Sequence, residues 1–131
     1  MARARKSGQP EDFHAWRKIV KEYWYQMRLL DECGGAVRKE IRALHQLETW
    51  LGDDHNIVIL CEQLFDNPVL VRACQDLDNL RRAAERHQTA LRRQALASGT
   101  RIYARGDKEY VKQLKQHWRA WRRREEQKAA A

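Results

Sequence analysis

His14, Arg17, Lys18, Lys21, Tyr25 and Arg28 fall on one side of a helix drawn at about 100° per residue, within the run HAWRKIVKEYWYQMRLL. No carboxylate falls among them. Like charges spaced i,i+3 and i,i+4 repel by roughly a few tenths of a kcal/mol per pair. A helix that keeps such repulsion over four turns is better explained by an anionic partner than by its own stability. The chemistry these residue types offer is binding. Arginine grips phosphate oxygens in a planar fork, and lysine adds a mobile point charge. His14 stands beside Arg17 and Lys18, which disfavour its protonation unless an anion is near. In that setting an imidazole donates to a phosphate and grips it better as pH falls. Its plainer role is that of an ordinary surface residue.

The stripe is not alone. Lys108, Lys112, Lys115, Arg119 and Arg122 follow the spacing i, i+4, i+7, i+11, i+14, one face of a second helix. Arg38, Arg42 and His45, ending in Thr49, form a weaker third stripe. One single-sign stripe is usually just a solvated surface. Three in a chain this small point to a shared cationic groove. By contrast Asp76, Asp78, Arg81, Arg82, Glu85 and Arg86 mix both signs and read as an ordinary exposed face.

Other chemistries find little support. Asp53, Asp54 and His55 are consecutive, so on a helix they point in different directions and make a poor metal site. Gly-rich phosphate loops, serine nucleophile elbows and paired Cys/His zinc spacings are missing from the sequence. No catalytic residues, metal or cofactor are therefore expected. The enzymatic alternative makes His14 a phosphoacceptor, or an acid in phosphoanhydride cleavage, but without a carboxylate cluster to hold a metal beside it.

The elements that must position these stripes read as four helices. The first opens near Pro10, with Glu11 and Asp12 suited to its dipole, and ends at Gly34-Gly35. Its apolar side gathers Trp16, Ile19, Val20, Tyr23, Trp24, Met27 and Leu30. The second runs from about Ala36 to Phe65 on a stripe of Val37, Ile41, Leu44, Leu47, Leu51, Val58, Cys61 and Phe65. That stripe stays in phase across Gly52, which predicts one long helix and a packing reason for the glycine. Asn67-Pro68 is a cap and first-turn signature for the third. It carries Leu70, Leu77, Leu80, Ala84, Leu91 and Ala95, with a break around Ala73 to Gln75 and an end near Tyr103. Asp107 caps the fourth, which packs through Tyr110, Val111, Leu114, Trp118 and Trp121. Short connections favour antiparallel neighbours, hence an all-α antiparallel four-helix bundle over residues 10–125. A flexible basic N-terminus (1–9) and a frayed tail (126–131) flank it.

Length and composition bound the rest. At 131 residues with 43% hydrophobic content and five tryptophans, the chain supplies one domain with an ordinary core. A formal charge of +8 draws it to polyanions. Three cysteines without C-x-x-C spacing suit free, partly buried thiols in a reducing compartment. The longest apolar run, Ile57 to Cys61, is far short of a membrane span, and no apolar stretch follows the basic N-terminus as in a secretion signal. A cytoplasmic protein without membrane partners is the expectation. Nucleic acid remains a competing polyanion, although the aromatics sit mainly on apolar faces and offer few stacking platforms. An acidic partner protein is a further alternative.

The run His14-x-x-Arg17-Lys18-x-x-Lys21-x-x-x-Tyr25 resembles the signature of the CHAD family, the conserved-histidine α-helical domain, at the start of that domain's second repeat. Leu51-Gly52-Asp53-Asp54-His55-Asn56-Ile57-Val58-Ile59-Leu60 is similar to the family's Leu-Gly-x-x-x-Asp-x-x-x-Leu element. Gly99 through Ile102-Tyr103 to Tyr110, Leu114, Trp118 and Trp121 resembles its closing segment, so the likeness covers nearly the whole chain. Ile19 and Trp24 stand where the family often has basic residues, and Asn56 where it has aspartate. The resemblance implies a helical bundle that binds inorganic polyphosphate without enzymatic activity, often at polyphosphate granules. It makes His14, Arg17, Lys18, Lys21, Tyr25 and Arg28 the centre of the site, flanked by Arg42, His45, Lys112, Lys115, Arg119 and Arg122. Family domains carry two four-helix repeats and this chain has length for one, half of a CHAD domain. A homodimer would restore the pair.

Overall fold

Helical periodicity is the chain's dominant pattern, and the computed structural model, which describes residues 1–73 and 76–130, has no strand among them. Six helices follow in order: α1 (Ala2–Ser7), α2 (Pro10–Arg28), α3 (Gly35–Phe65), α4 (Pro68–Ala73), α5 (Leu77–Ile102) and α6 (Asp107–Ala129). A 3₁₀ turn over Asp31–Cys33 joins α2 to α3. No helix among the described residues is long and apolar enough to cross a membrane.

Three long helices carry the core. Pro10 opens α2 with Glu11 and Asp12 in its first turn. The helix ends at Arg28, short of Gly34-Gly35, because Leu29 and Leu30 tighten into the 3₁₀ turn. Gly34 then takes φ +127°, a backbone region that side chains disfavour, and starts α3. Helix α3 is continuous through Gly52, as its unbroken stripe predicts. Phe13, Trp16, Val20 and Met27 of α2 meet Val37, Leu44, Leu47 and Leu51 of α3 in one core with Ala95 of α5. Tyr23 with Glu40, Arg17 with Glu48 and His14 with His55 set α2 antiparallel to α3. Arg92 of α5 on Asp54, with Arg105 just past its end on Glu40, does the same for α5 and α3.

Asn67 caps α4 as read, its Oδ1 accepting from the Val69 and Leu70 amides at 3.0 and 3.4 Å. The break expected around Ala73 to Gln75 overlaps the end of α4, and Cys74 and Gln75 lie outside the described residues. Of the other thiols, Cys33 is buried and Cys61 half-buried, both free.

Several expectations need correction. The N-terminus is not a flexible arm: α1 buries Ala4, and Gly8 closes it in the left-handed conformation. Arg5 donates to Thr100 of α5, and Ser7 Oγ donates to Asp12 at 2.6 Å. Ile19 is 59% exposed, at the margin of the apolar sector of α2. Asp107 does not cap α6; Gly106 holds the extended cap position and Asp107 opens the first turn. Val111 and Trp118 are exposed, because they sit about 80–100° around α6 from Tyr110, whose side faces the core with Leu114 and Trp121. Helix α6 buries no residue fully, and it runs to Ala129 instead of fraying at 126.

Candidate anion-binding groove

The groove between α2 and α3 gathers two of the three stripes. Near the turn that joins them, Arg28 of α2 with Arg42 and His45 of α3 line a concavity of about 410 Å³ with Trp24, Ile41 and Gln46. Trp24 is its floor. The His45 ring lies 4.6 Å from the Trp24 ring, and the Arg28 guanidinium sits 5.2 Å above the same indole. Tyr25 stacks on Trp24 at 5.0 Å and carries Lys21 Nζ 5.9 Å from its ring. These aromatic faces hold the cations extended at little entropic cost.

Halfway along, Arg17 reaches across to Glu48 of α3 at 3.3 Å. Its guanidinium lies against Gly52, where an added Cβ would stand 3.4 Å from Nε. That distance is ordinary van der Waals contact, so Arg17 packs on Gly52 without demanding a glycine there. Arg17 Nε itself is buried without a hydrogen-bond partner. At the far end the His14 ring packs on the His55 ring, centroids 4.2 Å apart. Burial, then the His55, Lys18 and Arg17 charges, hold the His14 pKa below its ordinary value. Lys18 and Lys21 are exposed along the α2 shoulder. Among the described residues, Lys18, Lys21, Arg28 and Arg42 have no ion-pair partner, so Glu48 is the one acid that enters the groove as a partner.

The third stripe stands apart. Helix α6 meets α2 through Tyr110, which packs edge-on against Tyr23 at 6.1 Å and donates to Met27 Sδ. Burial pushes the Tyr110 hydroxyl up to about 12. Lys112, Lys115 and Arg119 lie about 140–200° around the helix from that contact and line their own shallow concavity with Lys108, Val111 and Gln116. Arg122 pairs with Glu126 at 2.9 Å. The α2 stripe likewise lies about 120–220° from Tyr23, so the two sets face away from their shared contact.

His55, Glu48 and the floor residue Trp24 were absent from the sequence-based site. A signal for His55 existed: it falls about 20° around α3 from Leu44, on the side that must face a neighbour. Asp54, its predecessor, is buried in a bond from Arg92 Nε to Oδ1 at 2.6 Å, and His55 is turned to His14.

An all-α protein with Arg28, Arg42 and His45 around one inter-helix concavity is the class these observations define. Residues 1–65 match the family model of the CHAD domain, and the chain belongs to the CHAD family. The match covers α1 to α3, and so every residue of the groove; the closing segment from Gly99 to Trp121 lies outside it. No curated protein and no solved structure matches the chain.

Proposed function

We propose that this protein is a non-enzymatic binding module for inorganic polyphosphate, with the α2–α3 groove as its site. CHAD domains are associated in general with binding polyphosphate and triphosphate, which supports the reading. The observation that carries it is the run of cations from Lys18 and Lys21 to Arg28 and Arg42, joined by Arg17, His14 and His45 and relieved by Glu48 alone. A phosphate chain repeats a negative charge at every unit, and a linear groove with unpaired cations matches that repetition. Binding is driven by the release of counterions from the chain.

Lys18→Glu with Lys21→Glu tests the site cleanly, because both residues are exposed. Binding of long-chain polyphosphate is expected to vanish while circular dichroism stays unchanged. Affinity that survives the double reversal places the site elsewhere. Arg17 is a poorer choice, since a glutamate there would face Glu48 across the groove.

Nucleic acid is the second reading, and the exposed ring of Tyr25 favours it as a stacking platform. Competition between polyphosphate and RNA at equal phosphate concentration separates the two, with polyphosphate expected to win. We further propose that the helices form a single four-helix repeat of the CHAD type. A second copy completes the two-repeat arrangement, and the protein resides in the cytoplasm at polyphosphate granules. Light scattering with and without polyphosphate tests the pairing; a strict monomer in both conditions refutes it.

A further inference from the structure

His14 and His55 come from different helices and meet ring on ring at the open end of the groove, centroids 4.2 Å apart and tilted by 33°. His14 Nδ1 is buried and has no hydrogen-bond partner within the protein. A buried ring nitrogen without a partner is costly unless something else satisfies it. The surroundings offer no carboxylate to do so. On α2, Arg17 and Lys18 are cationic, and Glu11, three residues earlier, is exposed. On α3, Glu48 is held by Arg17, Asp54 is held by Arg92 of α5, and Asp53 is exposed. His14 therefore meets a second imidazole and two cations, while Glu48 and Asp54 are each held by an arginine.

We infer that His14 and His55 form a proton-coupled clamp, a part of the anion site that is neutral in the empty groove and takes up protons when a phosphate chain enters. The inference rests on the polyphosphate reading of the groove and adds His55 to it. Two stacked imidazolium rings beside Arg17 and Lys18 repel one another, so the empty site rejects protons. A phosphate oxyanion reverses the balance. It accepts a hydrogen bond from each protonated ring and offsets the repulsion between them. The protons come from solvent, and the N–H bonds they form point at the anion.

The sign of the effect follows. A ligand whose binding raises a histidine pKa binds more tightly as pH falls, by up to about tenfold per pH unit for each proton taken up. The interior phosphates of a long polyphosphate chain are fully ionised between pH 5.5 and 7.5, so the change belongs to the protein. His45, the other histidine of the groove, stacks on Trp24 instead of a second imidazole. It serves as an internal reference.

Two measurements on the full chain test the clamp. Histidine resonances followed by NMR in the empty protein are expected to show His14 titrating below 6.5, the value of an isolated imidazole. If His14 titrates at or above that value, the inference is overturned, whatever the protein binds. Calorimetry with long-chain polyphosphate at fixed salt is expected to show at least tenfold tighter binding at pH 5.5 than at 7.5, with net proton uptake when two buffers are compared. His14→Gln with His55→Gln should flatten that slope and abolish the proton uptake. Tight binding that is flat with pH in the wild type overturns the clamp and leaves the groove standing. Failure to bind at any pH, with His14 titrating low, overturns the polyphosphate reading itself.

Discussion

Arg17 is paired at one nitrogen and unpaired at another. Glu48 bonds one terminal nitrogen at 3.3 Å, while Nε is left buried without a partner. The side chain is thus anchored but not satisfied, and an arriving phosphate competes with a single carboxylate for it. Glu48→Gln removes that competitor and lifts the negative charge from the groove. Polyphosphate affinity is expected to rise about 5-fold, which corresponds to the roughly 1 kcal/mol of a partly exposed ion pair. Titration calorimetry at constant salt checks it, and unchanged or weaker binding would count against a role for Arg17. His14 couples stability to pH. Its pKa lies below the unfolded value in the empty protein, so the unfolded chain binds the extra proton first. Stability without ligand is expected to fall as pH drops through 6.5 toward the folded pKa, and to level off below it. Thermal melts of wild type and His14→Gln between pH 5 and 8 isolate this contribution as the part of the slope that the variant lacks.

The helices show where sequence patterns suffice and where they do not. The span of α3 was readable from one stripe in phase across Gly52, and Asn67 announced α4 by its cap chemistry. Helix α1 was not readable. Its basic letters resemble a loose arm, and only the tertiary contacts of Ala4, Arg5 and Ser7 hold it in place. Nor does periodicity fix how far an apolar sector extends, as exposed Ile19, Val111 and Trp118 show. The cations of α2 were legible as a face, whereas their meeting with Glu48 and His55 depends on inter-helix register, which one helix's sequence does not encode. Two close approaches fix α5 against α2 and α3. A Cβ on Gly99 would lie 2.7 Å from the buried Trp16 ring and 2.8 Å from Met1 Sδ. Gly99→Ala is therefore expected to cost about 1–3 kcal/mol by overpacking, despite alanine's better helix propensity. Asp54 receives two bonds from Arg92, which also donates to the Gly8 carbonyl at 2.8 Å, tying α5 to α3 and to the end of α1. Asp54→Ala strands that guanidinium and is expected to cost about 3–5 kcal/mol. Urea denaturation measures both changes, and a midpoint equal to wild type in either variant would refute the corresponding contact.

At the scale of the whole molecule the question is whether a net charge of +8 acts as one field or as separate sites. The proposed site counts five strong cations, Arg28 and Arg42 in the α2–α3 concavity and Arg17, Lys18 and Lys21 further along α2, while Lys112, Lys115 and Arg119 occupy their own concavity on α6. A bound chain that neutralises five phosphates should lose about 100-fold in affinity between 50 and 200 mM salt, taking a slope of about 0.7 per contact from single-stranded nucleic acid. Helix α6 is expected to add to the long-range field that speeds encounter without contacting the bound chain. The two regions therefore differ in what their removal changes. Neutralising Lys18 and Lys21 to glutamine is expected to flatten the salt slope by about 1.4, two contacts' worth. Neutralising Lys112, Lys115 and Arg119 together is expected to slow association at low salt while leaving the slope and the dissociation rate nearly as they were. Stopped-flow association and salt-dependent affinity on both variants decide it. An equal loss of slope in the α6 variant would mean that the phosphate chain leaves the α2–α3 groove and runs over α6 as well, and the site would then be a wrapped surface instead of a channel between two helices.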